Sequence, residues 1–337
     1  MRLLVGILAL SIVTSASTGR AQSGKCADDN GRDRCAIKAQ QKQQDAYGVD
    51  AIDDLASKGS QVIRAFFVDG YGRDAGLVNF VRGPASEPRV EWLQSQAGKG
   101  GAPRTLLSAI VSLGTWEALQ ADGHAFDRQL APQPETSPAI CFHGWMVRVE
   151  TVDARGRSHQ STQSACDPGL TVQYGFKVAK AAVESLPSCS LLDPERTRND
   201  VTRLSECSLL TGDRAAAAQA YNIFRTPWFT NPRGPDFARP LQYLFYDQAE
   251  ISWAGLSPTI GSEAASKLWA EQAANSFFAL SRVHGETPDR VRIEGTILFA
   301  GAPGGKERRV PATMIWTREN GFGFRLRSLV AGSPNSG

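Results

Sequence analysis

The sequence predicts an α+β fold with antiparallel sheets in two domains, of which the second is cone-like. Three observations predict this fold. The chain has 337 residues, which is more than one hydrophobic core usually supports. Several short segments alternate apolar and polar residues, which is the pattern of half-buried strands. Between them lie segments with apolar residues at helical spacing, bounded by glycine and proline.

The first 21 residues have the features of a secretory signal peptide. Arg2 gives a positive start, Leu3–Val13 is an apolar run, and Ala16 or Ala21 offers a small residue for cleavage. The run is shorter than the about 20 residues that a transmembrane helix needs. We therefore expect an exported soluble protein, periplasmic or secreted, with no transmembrane segment after the signal peptide. An uncleaved membrane anchor is the alternative.

The charge balance argues against a nucleic-acid partner. The chain carries 37 basic and 34 acidic residues, and Arg2 and Arg20 leave with the signal peptide. The remaining chain is close to neutral, and it has no basic stripe with interleaved aromatic residues. The sequence therefore predicts no nucleic-acid binding.

Residues 22–49 are expected to form a disulfide-bearing segment and a polar helix, and residues 50–186 an α+β domain with an antiparallel sheet. In this domain, "QVIRAFFVDGYGRDAGLVNFVRG" is typical of two strands joined by a glycine-rich turn, and "EPRVEWLQ" of a third. A short strand with a helix from Gly114, a hairpin after residue 140 and an amphipathic helix ending at Pro187 complete it.

A register argument predicts a disulfide in the hairpin that begins with "CFHGW". A four-residue loop, Val152–Arg155, pairs Thr151 with Gly156. Counting outward along both strands then places Cys141 opposite Cys166. Cα atoms in a non-hydrogen-bonded antiparallel pair lie about 4.5 Å apart, which is within the range that a disulfide tolerates. We therefore expect Cys141 and Cys166 to be bonded.

The other four cysteines are expected to pair locally. The chain has six cysteines, and an even number of cysteines in an exported chain is typical of a disulfide framework. Cys189 and Cys207 bracket a loop and a helix, and Cys26 and Cys35 enclose a polar, turn-rich segment. Free thiols or a metal site are the alternatives, but no pair has the C-x-x-C spacing of zinc sites.

Residues 187–332 are expected to form the cone-like domain, and residues 333–337 a short tail. The segments "RTRNDVTRLSECSLL" and "RAAAAQAYNIF" predict an αα-hairpin in which Asp213 caps the second helix. Residues 241–253 fit either a strand or a helix. A helix at "SEAASKLWAEQAAN" and the alternating segments "DRVRIEGTILF", "RRVPATMIW" and "GFGFRLRSLV" indicate a terminal β-meander.

The last turn of this meander allows a register prediction. A two-residue turn would pair Trp316 with Arg325, which joins an apolar face to a charged one. A three-residue loop, Glu319–Gly321, pairs Trp316 with Phe324 instead and Met314 with Leu326. Because a slip of one residue exposes the whole apolar set, we expect the three-residue loop.

The order of these elements and the ending "RVPATMIWTRENGFGFRLRSLV" resemble the nuclear transport factor two-like superfamily of α+β cones, over about residues 193–332. The resemblance implies a curved sheet that wraps helices around a pocket. That superfamily contains some enzymes and many binding or assembly modules, so the resemblance leaves the function open.

The sequence offers few motifs for catalysis or cofactor binding. "GYGRDAG" and "GAPGGKE" lack the glycine spacing of dinucleotide and phosphate loops, and no G-x-S-x-G, H-E-x-x-H or S-x-x-K occurs. His143 and His159 fall on opposite faces of one predicted hairpin, so they cannot share a metal there. We therefore expect neither a metal nor a cofactor.

Three residues are candidates for ligand binding: Tyr246, Asp247 and Trp316. If residues 241–253 form a strand, Asp247 lies on an otherwise apolar face, where an unpaired carboxylate is unfavourable. In a cone that face can line a pocket, with Tyr246 and Trp316 in its wall. A strand end, a bulge or a helix would expose Asp247 instead.

We expect a non-catalytic binding or interaction protein whose partner is a small molecule or an envelope protein. The alternative is a small-molecule enzyme, of the hydrolase, isomerase or lyase type, whose C-terminal pocket uses Asp247. The interior of the second domain distinguishes the binding protein from the enzyme. An open pocket with Asp247 inside favours the enzyme, and an interior filled by side chains favours binding through the surface.

Overall fold

Two β-sheets with helices packed against them lie in residues 46–337, the second of the two units into which the chain divides. The first unit comprises residues 1–45. The computed structural model describes residues 34–95, 104–129, 143–164, 169–196, 199–299, 307–319 and 323–332. No helix within these ranges is both long and apolar enough to cross a membrane.

Helices and strands alternate along the described ranges, which confirms the predicted α+β class. The helices are α1 (Arg34–Tyr47), α2 (Ile52–Ser57), α3 (Leu113–Gln129), α4 (Leu170–Ser185), α5 (Pro187–Ser190), α6 (Asp200–Cys207), α7 (Arg214–Phe224), α8 (Pro227–Thr230), α9 (Ala238–Gln242) and α10 (Ser262–Gln272). The strands are β1 (Gln61–Gly70), β2 (Asp74–Arg82), β3 (Arg89–Gln94), β4 (Arg104–Ile110), β5 (His143–Val152), β6 (Ser158–Ser164), β7 (Leu210–Gly212), β8 (Phe245–Trp253), β9 (Thr259–Ile260), β10 (Ser276–Thr287), β11 (Arg290–Phe299), β12 (Arg308–Thr317) and β13 (Arg325–Ala331). Short 3-10 helices span Pro194–Arg196 and Pro235–Phe237.

The first sheet is antiparallel, with the strand order β4-β3-β2-β1-β5-β6. Its central strand, β1, is buried on both faces. Ile63 and Phe67 belong to the main core with helix α4, whereas Phe66 packs on the other face against Tyr47. A strand covered on both sides is expected to be an almost continuous apolar run, as "VIRAFFV" is. The one charged residue of this run is Arg64.

Hairpin β5–β6 differs from the predicted register by three residues. Val149 pairs with Ser161 and not with Ser158. The loop is longer than expected because Asp153 closes it. Its Oδ1 accepts a hydrogen bond from the N–H of Arg157 at 2.9 Å, and its own N–H donates to the carbonyl of Arg157 at 3.1 Å. The predicted register was therefore wrong, because the side chain of an aspartate set the length of the loop.

The β1–β2 hairpin closes by the same chemistry. Both loops have the sequence Asp-x-x-Gly-Arg, and Asp69 donates to the carbonyl of Arg73 at 2.8 Å. The glycines, Gly72 and Gly156, have φ angles of +76° and +72°. Only glycine adopts this left-handed conformation without strain. The two hairpins therefore share a turn that an alternation pattern alone does not reveal.

A disulfide joins Cys189 on α5 to Cys207 on α6, with Cα atoms 5.1 Å apart. This bond was predicted. Cys35 is also disulfide-bonded, and its expected partner, Cys26, lies outside the described residues. Cys141 and Cys166 lie outside the described residues as well. Their bond stays a prediction, although the register from which we derived it differs from the observed one.

The second sheet has the strand order β7-β10-β11-β12-β13-β8-β9. Strands β10 to β13 form the expected antiparallel meander, while β7 runs parallel to β10 and β8 parallel to β13. The predicted αα-hairpin is interrupted, because β7 lies between α6 and α7. Asp213 caps α7 as predicted, since its side chain accepts a hydrogen bond from the N–H of Ala216 at 3.0 Å. The division of this unit into domains 50–186 and 187–332 stays a prediction.

Residues 241–253 contain both of the structures that the sequence allowed. Helix α9 ends at Gln242 and strand β8 begins at Phe245. The ladder between β8 and β13 then loses register, because Leu326 pairs with Phe245 but Ser328 pairs with Glu250. Four residues of β8 thus stand opposite one residue of β13. This irregularity breaks the strict alternation that a regular strand would have in the segment.

The last hairpin also departs from its predicted register. Trp316 pairs with Leu326, and Met314 pairs with Leu329. The predicted pairs of Trp316 with Phe324 and of Met314 with Leu326 were wrong. The cause is a longer loop and an additional residue in β13, Arg327, which has no partner in the ladder with β12. The apolar faces still coincide, which was the physical basis of the prediction.

Candidate functional site

Aromatic rings fill the helix-covered side of the second sheet. Phe229, on the short helix α8, has its ring centroid 5.0 Å from that of Trp316, 6.0 Å from Phe245, 6.4 Å from Trp269 and 6.2 Å from Phe224. These separations are those of rings in direct contact. Each of the five side chains is at most 1% exposed. We call these residues the aromatic core; they occupy the place where a cone-like fold could hold a pocket.

A glycine on the sheet makes room for a further ring beside this core. The ring of Phe278 on β10 meets that of Phe224 at 5.0 Å. On the adjacent strand, a Cβ at Gly295 would stand 2.2 Å from a ring carbon of Phe278. A side chain at this position would therefore displace the ring. Sequence reasoning did not find Phe229 as the centre, because its proline-rich connection carries no periodic pattern.

Asp247 lies on the surface and not in the aromatic core. It is exposed in the bulge of β8, between the buried residues Phe245 and Ala249. The N–H of Gly261, which follows β9, donates to the carbonyl of Ala249 at 2.9 Å and ties the far side of the bulge to the next strand. Asp247 is therefore exposed by a bulge, which is one of the three alternatives to a place on an apolar face.

Tyr246 lies across the neighbouring strand on the outer face of the second sheet, by which we mean the face opposite the aromatic core. Its hydroxyl donates a hydrogen bond to the carbonyl of Thr317 at 3.1 Å. Because Tyr246 is on β8 and Thr317 on β12, the phenol reaches over β13, which lies between them. This hydrogen bond holds the ring of Tyr246 on the outer face of the sheet.

Two arginines of β13 flank this ring. The guanidinium carbon of Arg325 is 6.0 Å and that of Arg327 is 5.8 Å from the ring centre of Tyr246. Both side chains are exposed. Distances of about 6 Å are the outer limit of a cation–π interaction. We call Tyr246, Arg325 and Arg327 the Arg–Tyr–Arg patch.

Backbone irregularity sets the direction of Arg327. The residue has no partner in the ladder with β12 and none in the ladder with β8. Leu326 and Leu329 are both buried, so Arg327 and Ser328 both lie on the outer side between them. A bulge that turns a side chain is a recurrent feature beside binding sites. Sequence reasoning placed Arg325 and Arg327 on a polar face but did not recognise that Tyr246 would join them.

The predicted site residues are thus brought together only in part. Tyr246 lies on the outer face and Asp247 is exposed in the bulge beside it in the chain, whereas Trp316 is fully buried in the aromatic core. The indole N–H of Trp316 has no hydrogen-bond partner among the described residues. Whether these three residues bind a ligand stays a prediction.

A buried ion network lies on the first sheet, on the face that packs against Tyr47. Arg64 on β1 is paired with Glu150 on β5, and both side chains are at most 1% exposed. Arg148 Nε approaches the other oxygen of Glu150 at 3.5 Å, and its guanidinium carbon lies 3.9 Å from the ring centre of Phe66. Burial lowers the pKa of Arg148 and raises that of the Tyr47 hydroxyl. The network fastens the segment before β1 to the sheet, since Arg64 Nη1 donates to the carbonyl of Asp50 at 3.0 Å.

A second cluster of ionisable side chains, which is half-buried, lies between helices α6 and α7. Glu206 Oε1 forms an ion pair with Arg225 Nη2 at 3.1 Å, and the guanidinium carbon of Arg225 lies 5.6 Å from the ring centre of Tyr221. Burial raises the pKa of the Glu206 carboxyl, and Arg225 opposes that shift. Burial and the nearby Glu206 raise the pKa of Tyr221. This arrangement joins the two helices beside the Cys189–Cys207 disulfide.

The two histidines whose side chains the structure describes are His159 and His284. Among the described residues, no group of three or more His, Cys, Asp or Glu side chains could hold a metal ion. His284 Nδ1 is 3.0 Å from the hydroxyl of Thr211, which links β10 to β7. His143 and His159 lie on β5 and β6.

No known protein family matches the chain. No curated protein matches it either. Solved structures match parts of it. An NTF2-like protein of unknown function from Cytophaga hutchinsonii is 18% identical, with 35% of this chain and 97% of that chain covered and a TM-score of 0.26.

Two further solved structures are similar in the same degree. An NTF2-like protein with a cystatin-like fold from Novosphingobium aromaticivorans is 15% identical, over 30% of this chain and 71% of that chain, with a TM-score of 0.25. A protein with a ketosteroid isomerase-like fold from Catenulispora acidiphila, in complex with trimethylamine, is 20% identical, over 29% of this chain and 76% of that chain, with a TM-score of 0.24. These three structures cover 29–35% of this chain.

Proposed function

We propose that this protein is an exported, non-catalytic binding protein that meets its partner on the outer face of the second sheet. One observation carries the proposal. The contacts of Phe229 with its four aromatic neighbours fill the side of the sheet where a ligand pocket would lie. Small-molecule sites are concave and bury most of the ligand, so a filled interior favours recognition at the surface.

Export is supported by the cysteines as well as by the N-terminal pattern. Cys189 and Cys207 are bonded, and Cys35 is bonded too. Disulfides persist in oxidising compartments and are rare in reducing ones. Together with the apolar run Leu3–Val13, they support a periplasmic or secreted protein.

The outer face has the polar and half-exposed surface that a binding partner could cover. Thr313 and Ile315 at its centre are half-buried, and Val330 beside them is 44% exposed. At one end lie the Arg–Tyr–Arg patch and the exposed Asp247. The enzyme alternative required Asp247 in an apolar pocket, and its exposure in the β8 bulge leaves that alternative without a supporting observation.

Site-specific photo-crosslinking tests this proposal in cells that naturally produce the protein. The photoreactive residue replaces Thr313 or Gln248 on the outer face, and the matched control replaces Glu117, which is exposed on α3. We expect one crosslinked species that forms from both outer-face positions and not from Glu117. Equal crosslinking from all three positions, or none from the outer face, would contradict the proposal.

A further inference from the structure

We propose that the Arg–Tyr–Arg patch binds an acidic segment of a protein partner, with one carboxylate for each guanidinium. The inference rests on the proposed function, because it names the chemistry by which the outer face would recognise its partner. It is carried by three observations: neither guanidinium has an acidic partner among the described residues, both lie about 6 Å from the same tyrosine ring, and both arginine side chains are exposed.

The guanidiniums of the patch are free to bind an external carboxylate. Within the part of the chain that the structure describes, neither Arg325 nor Arg327 forms an ion pair or a side-chain hydrogen bond. Other arginines at this end of the sheet are occupied. Arg292 is paired with Glu286, and Arg318 bonds Asp289 at 3.1 Å. An arginine presents a planar set of donors that matches a carboxylate with two parallel hydrogen bonds.

The distances from the Tyr246 ring set an upper limit on the spacing of the two charges. Each guanidinium carbon lies within 6.0 Å of the same ring centre, so the two are at most about 12 Å apart. In an extended peptide, alternate side chains lie on one side and about 7 Å apart along the chain. Acidic residues at positions i and i+2 of an extended segment can therefore reach both guanidiniums, with the chain passing over the phenol ring.

The exposure of the patch to solvent favours a macromolecule over a small anion as its ligand. The patch lies on an exposed sheet face, and a small ligand would stay mostly in water there, where a single charge pair contributes little. A protein segment can add contacts along the outer face, over Thr313 and Val330, which a free carboxylate cannot make.

The number and signs of the charges argue against a membrane or a nucleic acid. Recognition of an anionic membrane typically uses clusters of 4–8 basic residues, and binding to a phosphate backbone also uses many. Here two arginines, without an ion pair among the described residues, lie near Tyr246, and the next residue in the chain is the exposed carboxylate of Asp247. That carboxylate would repel a continuous anionic surface, whereas a segment with spaced carboxylates can avoid it.

The test uses the full mature protein and a fluorescent peptide of alternating glutamate and serine, with a glutamine–serine peptide as the neutral probe. Fluorescence anisotropy at low ionic strength measures the Kd for wild type, for R325Q/R327Q and for the control R308Q/R309Q. The control removes the same charge from exposed positions on the neighbouring strand β12. Circular dichroism and the thermal midpoint show that each variant is folded.

We expect the acidic peptide to bind wild type and the control alike, and R325Q/R327Q to lose roughly tenfold or more in affinity, as expected for charged hydrogen bonds. The neutral peptide should bind none of them. Equal affinities of the two double variants would overturn the site. So would binding of phosphatidylglycerol vesicles that depends on Arg325 and Arg327 while the acidic peptide fails to bind.

The failure of this inference can be told from failure of the proposed function. If R325Q/R327Q retains the crosslinks from Thr313 and Gln248, the arginine site is wrong and surface binding stands. If the crosslinks are absent from wild type, the proposed function fails whatever the peptide does.

Discussion

Phe229 and Trp316 meet edge to face, with ring centroids 5.0 Å apart and planes inclined by 67°. Neither side chain is exposed to solvent. Phe229 comes from a short helix in a proline-rich connection, and Trp316 from the middle of the terminal meander. Their contact joins the connection before α9 to the meander and fills part of the helix-covered side of the second sheet.

Removal of the central ring should destabilise the fold strongly. We expect Phe229→Ala to lower the free energy of unfolding by about 3–5 kcal/mol, because it deletes a buried ring and leaves a cavity among rigid neighbours. Phe277→Ala is the matched control, since Phe277 is 57% exposed on β10, and it should cost less than about 1 kcal/mol. Urea unfolding followed by circular dichroism measures both. An equal loss in the free energy of unfolding for the two variants would contradict the central place of Phe229.

Loss of the charge on Glu150 should be nearly as costly. Glu150→Gln leaves Arg64 charged in a site where its side chain is 1% exposed. Breaking a buried pair by removing one partner typically costs about 3–5 kcal/mol. Glu250→Gln, at an exposed position of β8, is the control and should change stability by about 0.5 kcal/mol or less. A stability of Glu150→Gln within that small range would show that the ion network does not hold the sheet.

Glu206 should make stability depend on pH. Burial raises the pKa of its carboxyl in the folded protein above the ordinary value of 4.5, so the folded chain holds the proton more tightly than the unfolded chain. The stability that the protonated form contributes is fully present below that value and is lost as the pH rises through the folded pKa. The difference in free energy of unfolding between wild type and Glu206→Gln should therefore shift in favour of the variant as the pH rises from below 4.5 through the folded pKa.

A matched variant isolates this effect from other titrating groups. Glu263→Gln changes an exposed glutamate of α10, and its difference from wild type should be constant over the same range. A pH-independent difference for Glu206→Gln would show that the proton of Glu206 is not linked to folding.

The Cys189–Cys207 bond should contribute measurable stability and be inert in the native state. Both cysteines are fully buried, and the bond spans 18 residues. On the chain-entropy account, a loop of this size is worth about 3 kcal/mol, and replacing both cysteines by alanine should lower the free energy of unfolding by about that amount. Mass spectrometry after alkylation of the native protein should find neither cysteine modified. Alkylation without unfolding would contradict the buried bond.

Alternation predicted the strands of the meander and the sheet class well, because a half-buried strand needs one apolar face. Local chemistry was equally reliable at Asp213, where an aspartate before a helix caps it. The Cys189–Cys207 pair was also found, since it brackets one loop and one short helix.

Registers and sites were not predictable in the same way. The loop at Asp153 and the bulges beside Arg327 depend on side-chain hydrogen bonds and on packing between distant segments. A shift of a few residues at such a place changes which side chains face each other. The exposure of Asp247 and the meeting of Tyr246 with the two arginines are consequences of those bulges, so an alternation pattern could not show them.

Binding of a small apolar fluorescent probe, 1-anilinonaphthalene-8-sulfonate, tests the filled interior most directly. Titration of the folded wild type should give no saturable rise in fluorescence, because the five rings of the aromatic core are buried and in contact with one another. Phe229→Ala, if folded, should bind the probe in the space that it opens. Saturable binding to wild type that is lost when Gly295 is replaced by a larger residue would contradict the account, since it would place an open pocket where we find packed rings.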